Sequence, residues 1–216
     1  MEYSCLVDVT THKCFPTLIH EFKLDLDNDK MLDYVYGMKR SVVPGTNVSG
    51  PSQDDLHKSL IFKPLVDELT LLHDGILQKL EYEYDKIEIT NMWANHLQSV
   101  DTHPPHTHSN SILSGVYYLL AGKETAPIQF FDPRVQASIL GPRRKNMNWY
   151  NSNMISFNSV IGVGFIFPSW LQHWVPSTQL VFGQGHPTQH ERISVSWNVL
   201  VRGHYGEPNT FQNAYI

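Results

Sequence analysis

The sequence predicts a mainly β (α+β) fold in which N-terminal helices buttress a jelly roll. Helix-like segments occur only before residue 85, and from Lys86 onward short β-prone runs follow one another between turn residues. Helices first and strands second is the order typical of a sandwich or barrel with helices packed on it. No repeat or linker divides the 216 residues. We therefore expect a single domain over 1–216, with a strand and helices at 1–85, the jelly-roll core at 86–201 and a C-terminal tail at 202–216.

The N-terminal part carries one predicted strand and two predicted helices. Apolar and polar residues alternate from His20 to Leu26, which predicts the strand. Residues 27–40 are expected to be helical, and residues 43–52, rich in Pro, Gly and Ser, form a loop. Pro64 can begin the second helix, whose apolar stripe predicts that it packs against a sheet. The stripe is Leu65, Leu69, Leu72, Ile76 and Leu80.

The predicted core consists of β-prone runs bounded by turn residues. They are residues 87–93, 112–120, 128–131, 154–157, 163–167 and 192–201.

Composition excludes several classes of protein. Hydrophobic residues are 41% and charged residues 17%, as in a folded globular chain. The net charge of −5, without a basic run, argues against a nucleic-acid partner. We expect no membrane span and no secretory signal, and hence a cytoplasmic location. Cys5 and Cys14 are then expected to be reduced thiols.

Histidines supply the first functional signal. Successive alternate residues of an extended chain point to one face, so His106 and His108 can aim at a single point. His173, in the distant segment FPSWLQHW, is a third candidate ligand. Neutral imidazoles suit iron(II), and three protein ligands leave coordination positions open for a co-substrate and oxygen. Taken alone, His-x-His is also typical of a solvated loop.

The other histidines of these regions are weaker candidates. His103 precedes two prolines and is expected to be a bystander. His186 and His190 lie in a Gly- and Pro-containing segment that we interpret as a surface loop.

A second signal lies in the last core run, RISVSWNV. Alternation places Arg192 and Ser194 on the face opposite Ile193 and its apolar companions. An arginine fork can bind a carboxylate through two hydrogen bonds, so this polar face can line a cavity that holds a dicarboxylate. A surface arginine on an edge strand is the alternative.

Five motifs in this order resemble a known family. The chain is similar to the 2-oxoglutarate/iron(II)-dependent oxygenases found in phages and marine bacteria, within the prolyl-hydroxylase-like superfamily. The motifs are His106-x-His108, LSGVYYL at 113–119, FDPR at 131–134, FPSWLxH at 167–173 and RISVSWN at 192–198. The resemblance covers nearly the whole chain.

The resemblance implies a double-stranded β-helix and a dioxygenase that uses Fe(II), 2-oxoglutarate and O2. The expected reaction is hydroxylation with release of succinate and CO2, in the host cytosol if a phage encodes the chain. The substrate, a small molecule or a peptide, and the oligomeric state, a homodimer included, stay open.

The resemblance also implies residue roles. His106 is the first metal ligand and His173 the distal one, while Arg192 with Ser194 holds the far carboxylate of 2-oxoglutarate. A tyrosine of the 116–119 strand, Tyr117 or Tyr118, assists, and similarity to prolyl hydroxylases favours Tyr118.

One position departs from the family pattern. Most of the superfamily carries His-x-Asp, and here His108 stands where the carboxylate is expected. His108 can itself ligate, which is the interpretation we favour. Water can take its place, or Asp101 or Asp132 can fold in to supply the acid.

Two rival functions remain at this point. One is a cupin-like metalloprotein that does not use 2-oxoglutarate, and the other is a non-catalytic jelly-roll binding or structural protein. The basic residues Arg134 and Arg143 to Lys145 indicate either a preference for an acidic or peptidic substrate or simply a solvated face.

Overall fold

The structure is a computed structural model that describes residues 9–38, 55–122, 124–182 and 191–216. The loop predicted at 43–52, Cys5, His186 and His190 lie outside the described residues. Cys14 is an exposed free thiol.

The described helices are α1 (Asp29–Gly37), α2 (Lys63–Lys79) and α3 (Thr178–Phe182), with 3-10 turns at Leu56–Lys58 and Val135–Ser138. The described strands are β1 (His20–Lys23), β2 (Lys86–Leu97), β3 (His103–His106), β4 (Leu113–Leu120), β5 (Ile128–Phe131), β6 (Met154–Phe157), β7 (Val163–Pro168), β8 (His173–Val175), β9 (Arg192–Arg202), β10 (His204–Tyr205) and β11 (Ala214–Tyr215).

Two antiparallel sheets form the jelly roll. The larger sheet has the strand order β1-β7-β4-β9-β2, and the smaller has the order β3-β8-β5-β6. A buried apolar cluster joins the two sheets, and it contains Tyr118 and Phe165 from the larger sheet and Phe130 from the smaller. The predicted mainly β jelly roll is confirmed.

The helices cover the outer face of the larger sheet. Leu65 and Leu69 of α2 share a buried core with Trp197 of β9 and Tyr117 of β4. This confirms the predicted packing of the second helix on the sheet. The buried face of α2 differs in one respect, because His73 is fully buried on it while Leu72 is only partly buried.

The predicted β-prone runs all contain strands, but two short strands of the smaller sheet were missed. β3 and β8 fall outside the runs that the sequence predicts to be strands. Within the predicted C-terminal tail, β10 and β11 pair as a hairpin. The organisation of the chain as one domain stays a prediction.

The alternation of β9 decides where the site lies. Ile193, Val195 and Trp197 belong to the core beneath the helices. Arg192 and Ser194 alternate with these residues along the strand and therefore point to the space between the two sheets. Within the described ranges, no helix combines the length and apolarity needed to cross a bilayer.

Candidate metal centre and co-substrate site

Three histidines converge at one end of the smaller sheet. His106 ends β3 and pairs directly with His173, the first residue of β8. His108 follows two residues later, and its backbone N–H donates to the carbonyl of Ser169 at 2.9 Å. One nitrogen from each ring lies within 4.8 Å of the others, and the Nε2 atoms of His108 and His173 are 3.3 Å apart. One ion can therefore bind all three.

Hydrogen bonds fix the orientation of these rings. The Nδ1 atom of His106 lies 2.8 Å from the carbonyl of Pro104, and that of His173 lies 2.9 Å from the carbonyl of Leu171. A carbonyl only accepts, so each Nδ1 carries the proton and each Nε2 keeps its lone pair for a metal. His108 has a side-chain hydrogen bond with Asn198. Such partners hold metal-binding histidines in one tautomer.

Burial keeps two of the rings uncharged. It lowers the pKa of His173 to about 3, with the neighbouring His106 adding to the effect. Burial likewise lowers the pKa of His108 to about 4. Both imidazoles are therefore neutral at physiological pH, which is the state that binds metal. The donor set fits iron(II).

The two aspartates considered for the third ligand position are engaged elsewhere. Asp132 forms an ion pair with Arg134 at 2.8 Å, and Asp101 accepts the backbone N–H of Gln98 at 2.8 Å. Across the described part of the chain, the metal-binding group contains neither aspartate and includes His108 instead. His103 lies outside the group, with its ring 5.9 Å from that of His106.

A buried arginine marks the second half of the site. Arg192 is 4% exposed. Its Nε donates to Ser159 at 3.0 Å, and its Nη2 donates to the hydroxyl of Tyr118 at 3.2 Å. No carboxylate of a described residue forms an ion pair with it. A buried cation without a counter-ion is unfavourable, so the position of Arg192 suits contact with an anionic ligand such as 2-oxoglutarate.

The serine and tyrosines of the predicted co-substrate site differ in placement. Ser194 is 1% exposed, and its hydroxyl has no partner among the described residues. The Tyr118 ring lies 4.8 Å from the Arg192 guanidinium. Tyr117 points to the opposite face of β4, where its hydroxyl donates to Asn28. Including Tyr117 in the site was wrong, because adjacent residues of a strand face opposite ways.

Sequence reasoning missed three inward-facing residues. Trp93 stacks on His108 with ring centroids 5.7 Å apart, and Asn198 hydrogen-bonds the same histidine. Asn95 is buried beside Ser196 and donates to its hydroxyl at 3.0 Å. The alternation of residues 91–97 places Trp93 and Asn95 on one face, but only strand pairing brings that face to the histidines.

Comparison with known proteins decides the family. A family model described as "Putative 2OG-Fe(II) oxygenase" matches residues 91–198, which contain the three histidines, Arg192 and Ser194. The chain belongs to this oxygenase family. The oxygenase is therefore an enzyme whose family uses iron(II) and 2-oxoglutarate. Its predicted phage origin stays a prediction.

Solved structures agree with the fold of the oxygenase. A Pseudomonas putida prolyl-4-hydroxylase is 14% identical, with a TM-score of 0.56 over 87% of this chain and 94% of its own. The non-haem α-ketoglutarate-dependent epimerase SnoN from nogalamycin biosynthesis is 10% identical, with a TM-score of 0.59 over 90% and 83%. HygX from Streptomyces hygroscopicus, solved with nickel and 2-oxoglutarate, is 10% identical, with a TM-score of 0.52 over 85% and 82%. No curated protein matches the chain.

Proposed function

We propose that this oxygenase hydroxylates a small-molecule or peptidyl substrate while 2-oxoglutarate is converted to succinate and CO2. Iron(II) would be held by His106, His108 and His173. When bound, it supplies the oxygen chemistry that the protein's own side chains lack. The observation that carries the proposal is the pairing of a three-histidine cluster with a buried Arg192 that forms no ion pair with a described carboxylate, in the space between the sheets.

The spacing of the two halves along the sheet supports this assignment. His108 stacks on Trp93, whose partner on β9 is Ser196. The Arg192 guanidinium reaches Tyr118, whose partner on β9 is Ser194. Two residues along a strand correspond to about 7 Å. A five-carbon dicarboxylate has the length to extend from the histidines to the arginine.

The protein's part in the reaction is to bind, orient and exclude water. Arg192, Tyr118 and Ser194 would anchor the far carboxylate of 2-oxoglutarate, which directs its keto-acid end toward the histidines. Phe130 and Phe167 pack their rings 5.8 and 4.7 Å from that of His173 and shield it from solvent. Such an arrangement fixes the reactants without requiring a general base.

A neighbouring cavity supports a substrate with an apolar portion. This cavity, of about 680 Å³, lies between the segment from Thr11 to Ile19 and strands β5 and β6. Phe130 and Leu171 line it and also contact His173, so two residues separate the cavity from a candidate metal ligand. Its volume falls in the usual range for small-molecule sites. Trp149 and Tyr150 at its wall can contact rings or apolar side chains.

The proposal is tested by loading the purified protein with iron(II) and ascorbate under air and measuring succinate formed from 2-oxoglutarate, with and without candidate substrates. Arg192→Ala should weaken 2-oxoglutarate binding roughly a hundred-fold, because the charged anchor is lost. Metal binding, measured by titration with Ni(II), should stay at the wild-type level. If Arg192→Ala bound 2-oxoglutarate as well as wild type did, or wild type formed no succinate under any condition, the proposal would be wrong.

A further inference from the structure

A row of polar side chains crosses three adjacent strands on the inner face of the larger sheet. The strand register pairs Tyr118 of β4 with Ser194 of β9, and Ser194 with Asn95 of β2. Directly paired residues of antiparallel strands point to the same face. Asn95 therefore lies in line with two residues of the proposed co-substrate site.

The row contains two buried oxygens that lack hydrogen bonds within the described chain. Asn95 is 3% exposed, and its Oδ1 has no partner among the described residues. Ser194 is paired directly with Asn95, and its buried Oγ likewise has no hydrogen-bond partner among the described residues. A buried polar atom without a partner is costly, and such atoms occur mostly where a ligand or water completes them. Two on neighbouring strands indicate a polar ligand beside both.

The neighbours of Asn95 on β2 narrow the identity of that ligand. Trp93, the next inward residue in one direction, stacks on His108, and Leu97, the next in the other direction, is paired with Arg192. Asn95 is thus the polar side chain of β2 that lies between the histidine cluster and the buried arginine. The ligand expected there is the dicarboxylate that the arginine attracts.

We propose that Asn95 is a co-substrate-binding residue, which donates a hydrogen bond from its carboxamide to the far carboxylate of 2-oxoglutarate. The inference rests on the proposed function. Ser194 would donate its hydroxyl to the same carboxylate, and Arg192 would supply the charge. The asparagine therefore adds a neutral donor from a third strand to the anchor made by β4 and β9.

Ser196 allows the carboxamide to take the orientation that binding needs. Asn95 Nδ2 now donates to the Ser196 hydroxyl at 3.0 Å, and Oδ1 is left without a partner among the described residues. A hydroxyl can donate as well as accept. Half a turn of the amide lets Oδ1 accept from Ser196 and points Nδ2 at the carboxylate. The hydrogen bond to Ser196 is kept in both orientations.

The test compares 2-oxoglutarate binding by wild type and Asn95→Ala, both loaded with Ni(II), using titration calorimetry. Loss of one hydrogen bond to a charged group predicts roughly ten- to hundred-fold weaker binding. Ni(II) affinity should not change, and Asn213→Ala, at an exposed asparagine, should bind 2-oxoglutarate as wild type does. Asn95→Asp keeps the shape but adds a negative charge, so it should bind more weakly still.

A second ligand checks which end of the co-substrate Asn95 contacts. 2-Oxopentanoate lacks the far carboxylate, so Asn95→Ala and wild type should bind it equally. The inference is overturned if folded Asn95→Ala binds 2-oxoglutarate within two-fold of wild type, or weakens both ligands by the same factor. Should Asn95→Ala fail to fold, Asn95→Asp is judged by the same comparisons. Wild-type protein that binds no 2-oxoglutarate would instead overturn the proposed function itself.

Discussion

The side chain at position 108 sets the charge of the candidate metal site. Three neutral imidazoles leave the full double charge of a bound iron(II) ion, whereas a carboxylate at this position would cancel one unit of it. The aspartates that might have compensated are occupied by Arg134 and the backbone of Gln98. We therefore expect the site to attract the dianionic 2-oxoglutarate more strongly than a site with a carboxylate would.

Asn198 gives the third histidine its orientation. It hydrogen-bonds His108, and its own Oδ1 accepts from Ser114 at 2.7 Å, which in turn contacts Ser169 at 2.8 Å. Asn198→Ala should therefore weaken metal binding roughly ten- to hundred-fold, as loss of a ligand's hydrogen-bond partner does. Titration of the metal-free protein with Ni(II) measures the effect.

Asn91 provides the control for this prediction. It is paired with Asn198 on the neighbouring strand, and no hydrogen bond joins it to the three histidines in the described chain. Asn91→Ala should bind Ni(II) as wild type does. Equal losses in both variants would mean that the sheet, and not the contact with His108, governs metal affinity.

Spacing and alternation alone predict the His-x-His pair and the Arg-x-Ser pair of the candidate site. His106 and His108 are two residues apart in extended chain, and Arg192 and Ser194 share a strand face, so local geometry suffices. Asn95 and Asn198 could not be predicted, because an asparagine in a strand has no distinctive signal. Their roles arise from pairing β2 with β9, about a hundred residues later, and from the loop that carries His108.

At the scale of elements, one tryptophan joins two strands to a helix. Trp197 of β9 lies across Gly115 of β4, its paired residue, and its indole N–H donates to Nε2 of His73 in α2 at 3.3 Å. The other ring nitrogen of His73 contacts the carbonyl of Leu69 at 2.6 Å. The jelly roll and its covering helix are thus joined through a neutral, fully hydrogen-bonded histidine.

Gly115→Ala should destabilise the protein. A Cβ at this position would lie 2.2 Å from the Trp197 ring, so the indole must move and strain its contact with His73. Overpacking of this kind costs about 1–3 kcal/mol in the free energy of unfolding. Urea unfolding followed by tryptophan fluorescence measures the loss.

Gly75 of α2 offers the matched substitution. No atom lies within 4 Å of a Cβ built there, and the position is exposed. Gly75→Ala should raise the free energy of unfolding by about 0.5–1 kcal/mol, because alanine favours the helix. If both substitutions stabilised the chain, Trp197 would have room to move and the proposed steric role of Gly115 would be wrong.

The elements differ in how far local sequence determines them. β5 and β6 have the predicted bounds because each is a short apolar run between turn residues. β3 contains two consecutive prolines, and β8 has three residues, so both depend on pairing with each other and not on their own propensity. The apolar stripe predicted for α2 was wrong at one position, because His73 is fully buried where Leu72 was expected to be. A histidine can be buried when its ring nitrogens are hydrogen-bonded.

At the scale of the whole molecule, buried or half-buried neutral histidines on both sides of the larger sheet couple stability to pH. Burial lowers the pKa of His73 to about 4, beneath the helices, and those of His108 and His173 to about 4 and about 3, between the sheets. In the unfolded chain each histidine titrates near 6.5. Below that pH the unfolded state binds protons that the folded state does not bind. The free energy of unfolding is therefore highest above pH 6.5 and decreases as the pH falls toward 4.

This linkage predicts opposite roles for protons and metal. Without metal, each of these histidines should lower the free energy of unfolding by up to about 1.4 kcal/mol per pH unit between pH 6.5 and 4. Ni(II) at a hundred times its dissociation constant should add about 2.7 kcal/mol at pH 7.5, and this increment should shrink on acidification because protons compete for His108 and His173. Guanidinium unfolding between pH 7.5 and 4.5, with EDTA or Ni(II), measures both effects.

His73→Leu should flatten the pH dependence in EDTA while leaving the metal increment intact, since His73 lies on the other face of the sheet. Stability that stays constant from pH 7.5 to 4.5 would contradict the neutral state assigned to all three rings.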